Sequence, residues 1–405
     1  MTEKQFDVVI VGGGLVGMSL AIALDGSGLR VLLIDAEPER APTAPIWDER
    51  HFALARASVE RLREWRALPA ESEHTPIREV HVSRAGEFGR VLLSASMLGL
   101  DALGATVPAR LLIAALERRV AAASSIDCWR SARCLSFRQA DEQVEVIVAV
   151  EGVAQPITTR LLVAADGTES AIRQQLDIPV LRHDYQQSAM VCAAETSAAH
   201  PGRAFERFTD TGPVAVLPLS GQRCGVVCTV ANGERAAAMA LDDDAFRRWL
   251  QPRLGYRQGR LLRVGRRQVW PLQLLIAERL VGARVAVIGN AAQTIHPIGA
   301  QGFNLGLRDA AALAAQIRAA SGDPGAAATL QAYASARAHD RNQTITSSHG
   351  LLRAFAGQGL ALQALRGLAM GAVDRLPWLR QRLMLAGMGY RDTAAPLAVA
   401  PEHRR

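Results

Sequence analysis

Residues 6–35 read FDVVIVGGGLVGMSLAIALDGSGLRVLLID, and this stretch decides the fold. The apolar run 8–11 predicts a buried strand, and a second apolar run, 30–34, predicts another. Between them lies an apolar segment that opens with glycines in the spacing G-x-G-x-x-G, namely Gly12, Gly14 and Gly17. Asp35 follows the second run, about 20 residues after the glycines. The order of strand, glycine turn, helix, strand and acid predicts a βαβ unit.

Each part of this unit suits a dinucleotide. Gly12 permits a tight bend, Gly14 leaves room for a pyrophosphate, and Gly17 lets the helix pack closely on the strand. The open N–H groups at the start of the helix would face the anion. Asp35 can accept hydrogen bonds from a ribose diol, which favours FAD or NAD over NADP. The stretch alone leaves the choice between FAD and NAD open.

Length and charge narrow the class of protein. The 405 residues exceed one ordinary core and predict two or three domains. The net charge of +7 comes almost entirely from arginines that are scattered, without a basic run or interleaved aromatic residues. This distribution disfavours nucleic-acid binding. Lys4 is the only lysine, so neither a P-loop nor an internal Schiff-base lysine can be built.

The cysteines indicate a reducing compartment. They form no C-x-x-C pair and no dense framework, so we expect free thiols and no metal site. They are Cys128, Cys134, Cys192, Cys224 and Cys228. The apolar run 8–24 is short for a membrane span and has no basic segment before it. We therefore expect a cytoplasmic protein, with peripheral attachment at the inner face of the cell membrane left open.

Two later stretches repeat the pattern of a strand that runs into a glycine turn. Residues 165–173, ADGTESAIR, place Asp166 and Ser170 where they can cap a helix, and Gly167 allows a close backbone approach. Alone this would be an ordinary capped turn. Residues 289–313, GNAAQTIHPIGAQGFNLGLRDAAAL, form the other stretch. Their place late in the chain predicts a nucleotide domain that is interrupted and then resumed.

The remaining segments predict an inserted sheet and helices. Short apolar runs such as VAVLPL and CGVVCTV, between residues 180 and 281, indicate a separate antiparallel sheet. Residues 47–65 have apolar residues at helical spacing behind a charged opening, which predicts a helix. Residues 329–391 are helical in pattern, apolar on one side and rich in arginine. That face indicates either a helix pair that covers the core or a surface for a membrane or a partner.

On these three glycine-containing stretches the chain resembles the flavoprotein aromatic hydroxylases typified by para-hydroxybenzoate hydroxylase, over nearly its whole length. The motifs G-x-G-x-x-G, D-G-x-x-S-x-x-R and G-N-A-A…P…Q-G-x-N occur in that family's order and spacing. The form G-N-A-A-Q resembles the ubiquinone-biosynthesis branch. The resemblance implies a monooxygenase that uses FAD, NADH or NADPH, and O2. It further implies hydroxylation of a prenylated phenol, 2-polyprenyl-6-methoxyphenol, to the 1,4-benzoquinol.

The same resemblance implies an α/β fold with a Rossmann-like βαβ domain for FAD, an inserted antiparallel-sheet domain for the substrate and a C-terminal helical segment. We assign residues 1–75, 105–180 and 281–345 to the FAD domain, 76–104 and 181–280 to the substrate domain, and 346–405 to the helical region. Binding to the membrane or to a complex of ubiquinone-biosynthesis proteins is left open.

The resemblance also implies roles for single residues. Pro297 matches the proline beside the reactive edge of the flavin, and His296 next to it is either a proton relay for the phenol or a packing residue. The residues implied in cofactor binding are Gly12, Gly14, Gly17, Asp35, Arg50, Arg110, Asp166, Gly167, Gly289, Asn290, Gly302 and Asn304.

The chain departs from the family pattern in three places. Asn290 stands where most relatives carry Asp, and Gln293 where His is common. Residues 299–302, GAQG, replace the frequent order A-G-Q-G, so the backbone geometry there needs a structure. Two other functions stay open, namely hydroxylation of another aromatic compound and a non-catalytic FAD-binding subunit of a membrane-associated complex. The absence of a second G-x-G-x-x-G disfavours a disulfide-reductase-like architecture.

Overall fold

A computed structural model describes residues 4–38, 50–320, 322–357 and 359–390. Predictions for residues 39–49 and 391–405 lie outside the described residues. The strands, in chain order, are β1 (Lys4–Val11), β2 (Val31–Ile34), β3 (His51–Ala55), β4 (Thr75–Ile77), β5 (Glu79–Arg84), β6 (Arg90–Ser94), β7 (Gly104–Pro108), β8 (Ile126–Trp129), β9 (Ala132–Gln139), β10 (Val144–Val150), β11 (Val153–Ala164), β12 (Val180–Thr196), β13 (Arg203–Thr209), β14 (Gly212–Pro218), β15 (Arg223–Ala231), β16 (Leu261–Val264), β17 (Gln268–Ala277), β18 (Val281–Gly282), β19 (Val285–Val287) and β20 (Gln293–Thr294).

Helices lie between these strands and follow them. They are α1 (Leu15–Leu24), α2 (Arg56–Glu64), α3 (Ala109–Ala121), α4 (Ala171–Gln175), α5 (Asn232–Ala240), α6 (Asp243–Leu254), α7 (Gln301–Ala319), α8 (Ala327–Ala356), α9 (Leu360–Arg375) and α10 (Pro377–Met388). Short 3-10 turns at Gly289–Ala291 and Ile298–Ala300 precede α7.

The first sheet is parallel at its centre, in the order β18-β19-β11-β1-β2-β8. Strands β19, β11, β1, β2 and β8 run parallel, while β10 and β9 extend the sheet from β11 in antiparallel pairs. The continuous apolar runs of β1 and β2 fit this position, because a parallel strand is covered on both faces. All four residues of β2 are buried, as are residues 8–11 of β1. The βαβ unit predicted from residues 6–35 is confirmed.

The second sheet is antiparallel except for the β13–β5 pair, in the order β20-β17-β12-β15-β14-β13-β5-β6, with β16 beside β12. One of its faces packs against α5 and α6 through an apolar core that includes Val214, Val226, Phe246 and Leu250. Its strands come from residues 79–94, 180–277 and 293–294. The α/β fold class with an antiparallel second sheet is confirmed, and the exact domain boundaries stay a prediction.

The helix predicted for residues 47–65 is wrong in its first half. Residues His51–Ala55 form β3, which pairs antiparallel with β7, and α2 begins only at Arg56. Strand β7 also pairs with β4, which makes a three-stranded sheet. The apolar spacing in this segment reflects burial of Leu54 against the main core as part of a strand. Pairing with a distant strand overrides the local helical pattern.

The C-terminal helices α9 and α10 have one side packed on the protein and one side exposed. Met370 of α9 and Met384 and Met388 of α10 pack on Val91 and Leu93 of β6. The opposite surface of α9 exposes Leu365 and Leu368, and α10 exposes Trp378. The prediction of a core-covering helix pair therefore accounts for one side of these helices only. Among the described residues, no helix combines the length and apolar character that a membrane crossing needs.

Candidate functional site

Four strand ends meet at one edge of the parallel sheet. Val11 of β1 lies in register with Ile34 of β2 and with Ala164 of β11, and Ala164 lies in register with Val287 of β19. The residues that follow these strand ends include Gly12, Asp35, Asp166 and Gly289. The carboxyl edge of an open parallel sheet is where such folds bind ligands. The structure thus brings the three predicted motifs together at that edge.

The glycines of the first motif divide into two roles. A Cβ atom at position 12 would lie 2.2 Å from the carbonyl oxygen of Ala165, and one at position 17 would lie 1.9 Å from that of Gly12. These two glycines are therefore required by packing. At Gly14 a Cβ atom would have nothing within 4 Å. Gly14 is the N-cap of α1 and provides no side-chain cap, so the first N–H groups of α1 are available to an anion.

Asp35 lies at the end of β2 and is 7% exposed. Its Oδ2 atom pairs with the guanidinium of Arg130, and its Oδ1 atom accepts a hydrogen bond of 3.2 Å from the Glu37 N–H. A carboxylate has about four acceptor positions, so Asp35 can still accept bonds from a diol. Sequence reasoning missed Arg130, because 95 residues separate it from Asp35 and nothing local to Arg130 marks the contact.

The second motif contains a buried carboxylate oxygen, on Asp166, that accepts no hydrogen bond from the described residues. The buried Oδ1 atom of Asp166 has no hydrogen-bond partner among the described residues, and Oδ2 receives only a long bond of 3.4 Å from the Ile172 N–H. Gly167 has a φ of +87°, and space lies open where its side chain would be. Ser170 caps α4 by accepting a 3.0 Å bond from the Arg173 N–H, as predicted. A buried carboxylate oxygen without a donor fits a ligand hydroxyl group.

Arg173 joins the second motif to the third. Its side chain is 1% exposed, and Nη1 donates to the carbonyl oxygens of Thr168 at 2.9 Å and Ala291 at 2.8 Å. The hydroxyl groups of Thr168 and Thr294 lie 2.9 Å apart beside it. The two turns are thereby held as one unit.

Gln293 bridges two buried charges. Its Nε2 donates to Asp309 Oδ2 at 2.6 Å, and its Oε1 accepts from Arg341 Nε at 2.7 Å. The same Asp309 oxygen accepts a 3.1 Å bond from the Gly289 N–H. An amide, which has both donor and acceptor, satisfies both neighbours, which explains this departure from the family pattern. Asn290, the other departure in this turn, has an exposed side chain.

The loop after His296 turns sharply into α7. Gly299 and Ala300 have φ values of +60° and +53°, so the exchanged order of these residues places an alanine in the left-handed region. Gly302, in the first turn of α7, has open space where a side chain would be. Asn304 donates from Nδ2 to the oxygens of Ala53 at 3.0 Å and Ala300 at 2.7 Å. Both amide hydrogens are thereby used, and the side chain holds β3 against the start of α7.

His296 is 1% exposed, and neither ring nitrogen has a hydrogen-bond partner among the described residues. Its ring meets the Tyr185 ring edge to face, with centroids 5.3 Å apart. Burial lowers the pKa of His296 to about 4, so the ring is neutral at pH 7. Pro297 follows it and begins the turn Ile298–Ala300.

Arg50 lies between the three-stranded sheet and the second sheet. Its guanidinium carbon is 4.4 Å from the ring centroid of Phe52 and 5.6 Å from that of Trp270 on β17. Its carbonyl oxygen accepts a 2.8 Å bond from the Ala109 N–H, which places Arg50 beside the first turn of α3, where Arg110 stands. The two predicted arginines are thereby adjacent. In the described part of the chain, no cluster of His, Cys, Asp and Glu could hold a metal ion.

Known proteins are similar to this chain over most of its length. Residues 5–348 match the family described as FAD binding domain. Ubiquinone hydroxylase UbiL from Rhodospirillum rubrum is 34% identical over 393 residues, covering 96% of this chain and 90% of that protein. The 3-demethoxyubiquinol 3-hydroxylase of Escherichia coli is 30% identical over 321 residues, covering 77% of this chain and 80% of that protein.

A crystal structure gives an independent comparison of the fold. That of p-nitrophenol 4-monooxygenase PnpA from Pseudomonas putida superposes with a TM-score of 0.79 at 16% identity. The superposition covers 96% of this chain and 100% of the other. At this identity the likeness shows that the two proteins share a fold.

Proposed function

Because the chain belongs to the FAD binding domain family, we propose that it is an FAD-dependent monooxygenase that hydroxylates a prenylated phenol in ubiquinone biosynthesis, with NAD(P)H as reductant and O2 as oxidant. The relatives named ubiquinone hydroxylase and 3-demethoxyubiquinol 3-hydroxylase support this substrate class. The observation that carries the proposal is the meeting of Gly12, Asp35, Asp166 and Gly289 around one edge of the parallel sheet.

The residues at this edge fit FAD. The open position at Gly14 and the uncapped start of α1 suit the pyrophosphate, and Asp35 suits the ribose. The unpaired Oδ1 of Asp166 suits a hydroxyl group of the cofactor. The start of α7 at Gly302 favours negative charge, which suits a reduced flavin ring. Bound FAD supplies the transfer of one oxygen atom from O2 to an electron-rich ring.

The remaining predicted residues would act around this cofactor. Arg50, just before β3, and Arg110 of α3 would line it, while Gly289 and Asn290 would support it from the turn after β19. Asn304 would position the start of α7, since its amide hydrogens are already used by backbone oxygens. The chain must also orient the phenol and keep water from the reacting atoms. The second sheet, which meets the turn after Pro297, is suited to this task.

His296 keeps two proposed roles, and one substitution separates them. His296→Phe retains an aromatic ring against Tyr185 and removes both ring nitrogens. If His296 relays a proton, product formation should fall by roughly 10²–10⁴-fold. If it packs, the rate should stay within about threefold. We expect the packing result, because burial keeps the ring neutral and no described group bonds to either nitrogen.

We propose 2-polyprenyl-6-methoxyphenol as the substrate and the 1,4-benzoquinol as the product. The name of the Escherichia coli relative favours a second candidate, hydroxylation of 3-demethoxyubiquinol at another ring position. Deletion of the gene, followed by mass spectrometry of quinone precursors, distinguishes the two. Accumulated 2-polyprenyl-6-methoxyphenol supports the first substrate and accumulated demethoxyubiquinone the second. Unchanged ubiquinone in the deletion strain would overturn the proposal. In an assay of the purified protein with prenylated phenols, NAD(P)H oxidation without hydroxylated product would favour a non-catalytic subunit.

We further propose that α9 and α10 attach the protein to the membrane surface. Leu360, Leu365 and Leu368 are 84%, 63% and 66% exposed, and Trp378 is 62% exposed. Exposed apolar side chains beside arginines suit an anionic lipid surface, and Arg382 on α10 is exposed. A substrate with a long prenyl tail gives such attachment a purpose.

Vesicle flotation tests this attachment. Full-length protein should float with phosphatidylglycerol vesicles, and less with phosphatidylcholine vesicles. The double substitution of Leu365 and Leu368 by serine should reduce flotation several-fold. Leu135→Ser, at a residue that is 56% exposed on β9, serves as the matched control. Equal flotation of the double variant and the control would exclude α9 as the attachment site.

A further inference from the structure

Glu206 lies in the middle of β13, on the face of the second sheet away from α6. Phe205, its neighbour in the strand, packs into the core that β13 shares with α6. Because side chains alternate along a strand, Glu206 points to the opposite face. Trp270 of β17 lies on that same face and contacts Arg50. Glu206 therefore faces the part of the chain that carries the proposed FAD site.

The surroundings of Glu206 on this face are apolar. Successive strand pairs place Val191, Val227 and Ala215 in one row with it across β12, β15 and β14. On its other side the row continues to Val82 of β5. Val191, Val227 and Ala215 are half-buried, unlike the closed core on the opposite face. The row forms an apolar surface that carries one carboxyl group, which suits an aromatic ring bearing one polar substituent.

The carboxyl group reaches the loop of the proposed reaction site. The backbone N–H of Gly299, two residues after Pro297, lies close enough to the Glu206 carboxyl group to oppose in part the effect of burial on its pKa. The turn Ile298–Ala300 also contacts β14, the strand beside β13. In the described part of the chain, Glu206 forms no ion pair. Burial raises the pKa of Glu206 to about 7.

Besides Arg50, which lies against Trp270, the charged or titratable groups near this face are engaged or neutral. Arg84 of β5 pairs with Glu87 and Asp210, at 2.6 Å and 2.8 Å. His296, in the loop before Pro297, is neutral because burial lowers its pKa to about 4. His349 of α8 lies 3.2 Å from the Tyr185 hydroxyl, and burial lowers its pKa as well. A ring whose pKa is about 4 does not hold a proton at pH 7, so Glu206 is the group on this face that is suited to take one.

Resting on the proposed function, we propose that Glu206 is the catalytic residue that accepts the hydroxyl hydrogen of the phenol and takes its proton as the ring is oxygenated. The phenol O–H bond breaks, its electron pair stays on the phenol oxygen, and the proton passes to a Glu206 carboxylate oxygen. One oxygen atom of O2 bonds to a ring carbon, which loses its hydrogen as a proton, and the other leaves as water. NAD(P)H supplies the two electrons.

Glu206→Gln is the sharpest test, because glutamine keeps the length of the side chain and an acceptor oxygen but can no longer take a proton. Product formation from a short-chain 2-prenyl-6-methoxyphenol should fall by roughly 10²–10⁴-fold. FAD content and thermal unfolding should match those of the wild type. The wild-type rate should rise as pH increases through about 7, and the variant should lack this rise.

Glu195→Gln on β12 is the matched control in the same sheet, and it should keep both the rate and the pH profile. A binding readout is independent of turnover. Wild-type protein should bind the phenol at least about tenfold more tightly than its methyl ether, and Glu206→Gln should bind the two within about threefold, because the amide serves a hydroxyl donor less well than a carboxylate does.

The outcomes separate this inference from the proposed function. Wild-type protein that forms no hydroxylated product from any prenylated phenol would overturn the proposed function. If the wild type does form product, a Glu206→Gln rate within threefold of wild type, or an unchanged pH profile, would overturn the role of Glu206 alone. Loss of FAD or of thermal stability in Glu206→Gln would assign Glu206 to loop structure instead.

Discussion

Gly14→Ala should separate cofactor binding from folding. The backbone of Gly14 has a φ of −74° and a ψ of −177°, which any residue adopts, and a Cβ atom there would have nothing within 4 Å. Alanine is a poorer N-cap than glycine, but it lowers the entropy of the unfolded chain by roughly 0.4–1 kcal/mol. These effects oppose each other. The free energy of unfolding without FAD should therefore change by less than about 1 kcal/mol.

Binding of FAD should suffer much more. The added methyl group would stand at the open start of α1, where the pyrophosphate is proposed to meet the backbone N–H groups. Losing one or two hydrogen bonds to a charged group costs about 2–4 kcal/mol in total. Since each 1.4 kcal/mol is about tenfold, the Kd for FAD should rise roughly 30- to 700-fold.

The assay is a titration of apoprotein with FAD, followed by flavin fluorescence, together with thermal unfolding of the same samples. Gly233→Ala in α5 is the matched control, because a Cβ atom there also has nothing within 4 Å. Gly17→Ala should fail differently, by unfolding, since its Cβ atom would lie 1.9 Å from the Gly12 oxygen. A Gly14→Ala protein that binds FAD as tightly as the Gly233→Ala control would refute the assignment of the pyrophosphate to α1.

Three further predictions concern the loop, the helices and the start of α7. Ala300→Gly should raise the free energy of unfolding by about 0.5–1 kcal/mol, because φ is +53° at this alanine; thermal unfolding checks this, and a lowered midpoint would contradict it. The Arg366 and Arg84 guanidinium groups lower the pKa of the buried Glu87 carboxyl group. The ion pair therefore stabilises the docking of α9 fully above the unfolded pKa of glutamate, about 4.3, and this stability is lost as pH falls through the lowered folded-state pKa. Glu87→Gln should accordingly cost about 3–5 kcal/mol at neutral pH, seen as faster hydrogen exchange in α9, and unchanged exchange would refute the pairing. Asn304→Leu removes the side-chain hydrogen bonds to three backbone groups, which should cost at least about 3 kcal/mol and release FAD; full FAD retention in the purified variant would exclude this role.

Much of the fold could be predicted because its signals are local. The runs 8–11 and 31–34 are apolar without interruption, and such runs form strands that are buried on both faces. The glycines at 12 and 17 leave no room for a side chain, and Gly14 lies between them at the open start of α1. Strand, turn and acid follow one another within about 30 residues, so the spacing alone predicts a nucleotide-binding unit.

The helical pattern of residues 51–55 shows where local reasoning fails. Their apolar spacing suits a helix, yet their backbone pairs with that of β7. The pair that is nearest in sequence, Ala55 and Gly104, is 49 residues apart. Pairing supplies hydrogen bonds and burial that no local propensity outweighs. The choice of glutamine at position 293 also has a tertiary cause. Its side chain bonds to Asp309 and Arg341, and its neighbours along the chain do not indicate these contacts.

Residue types and spacings along the chain were sufficient to predict the βαβ unit, the antiparallel insertion and the set of glycines and acids at the sheet edge. The tertiary structure decided which of these residues lie together and which side chains they bond to. Arg130 reaches Asp35, Asn304 turns toward β3, and Glu206 comes to lie beside the loop of Pro297. Each contact joins residues that are far apart in the chain, and local periodicity carries no information about which elements pack together.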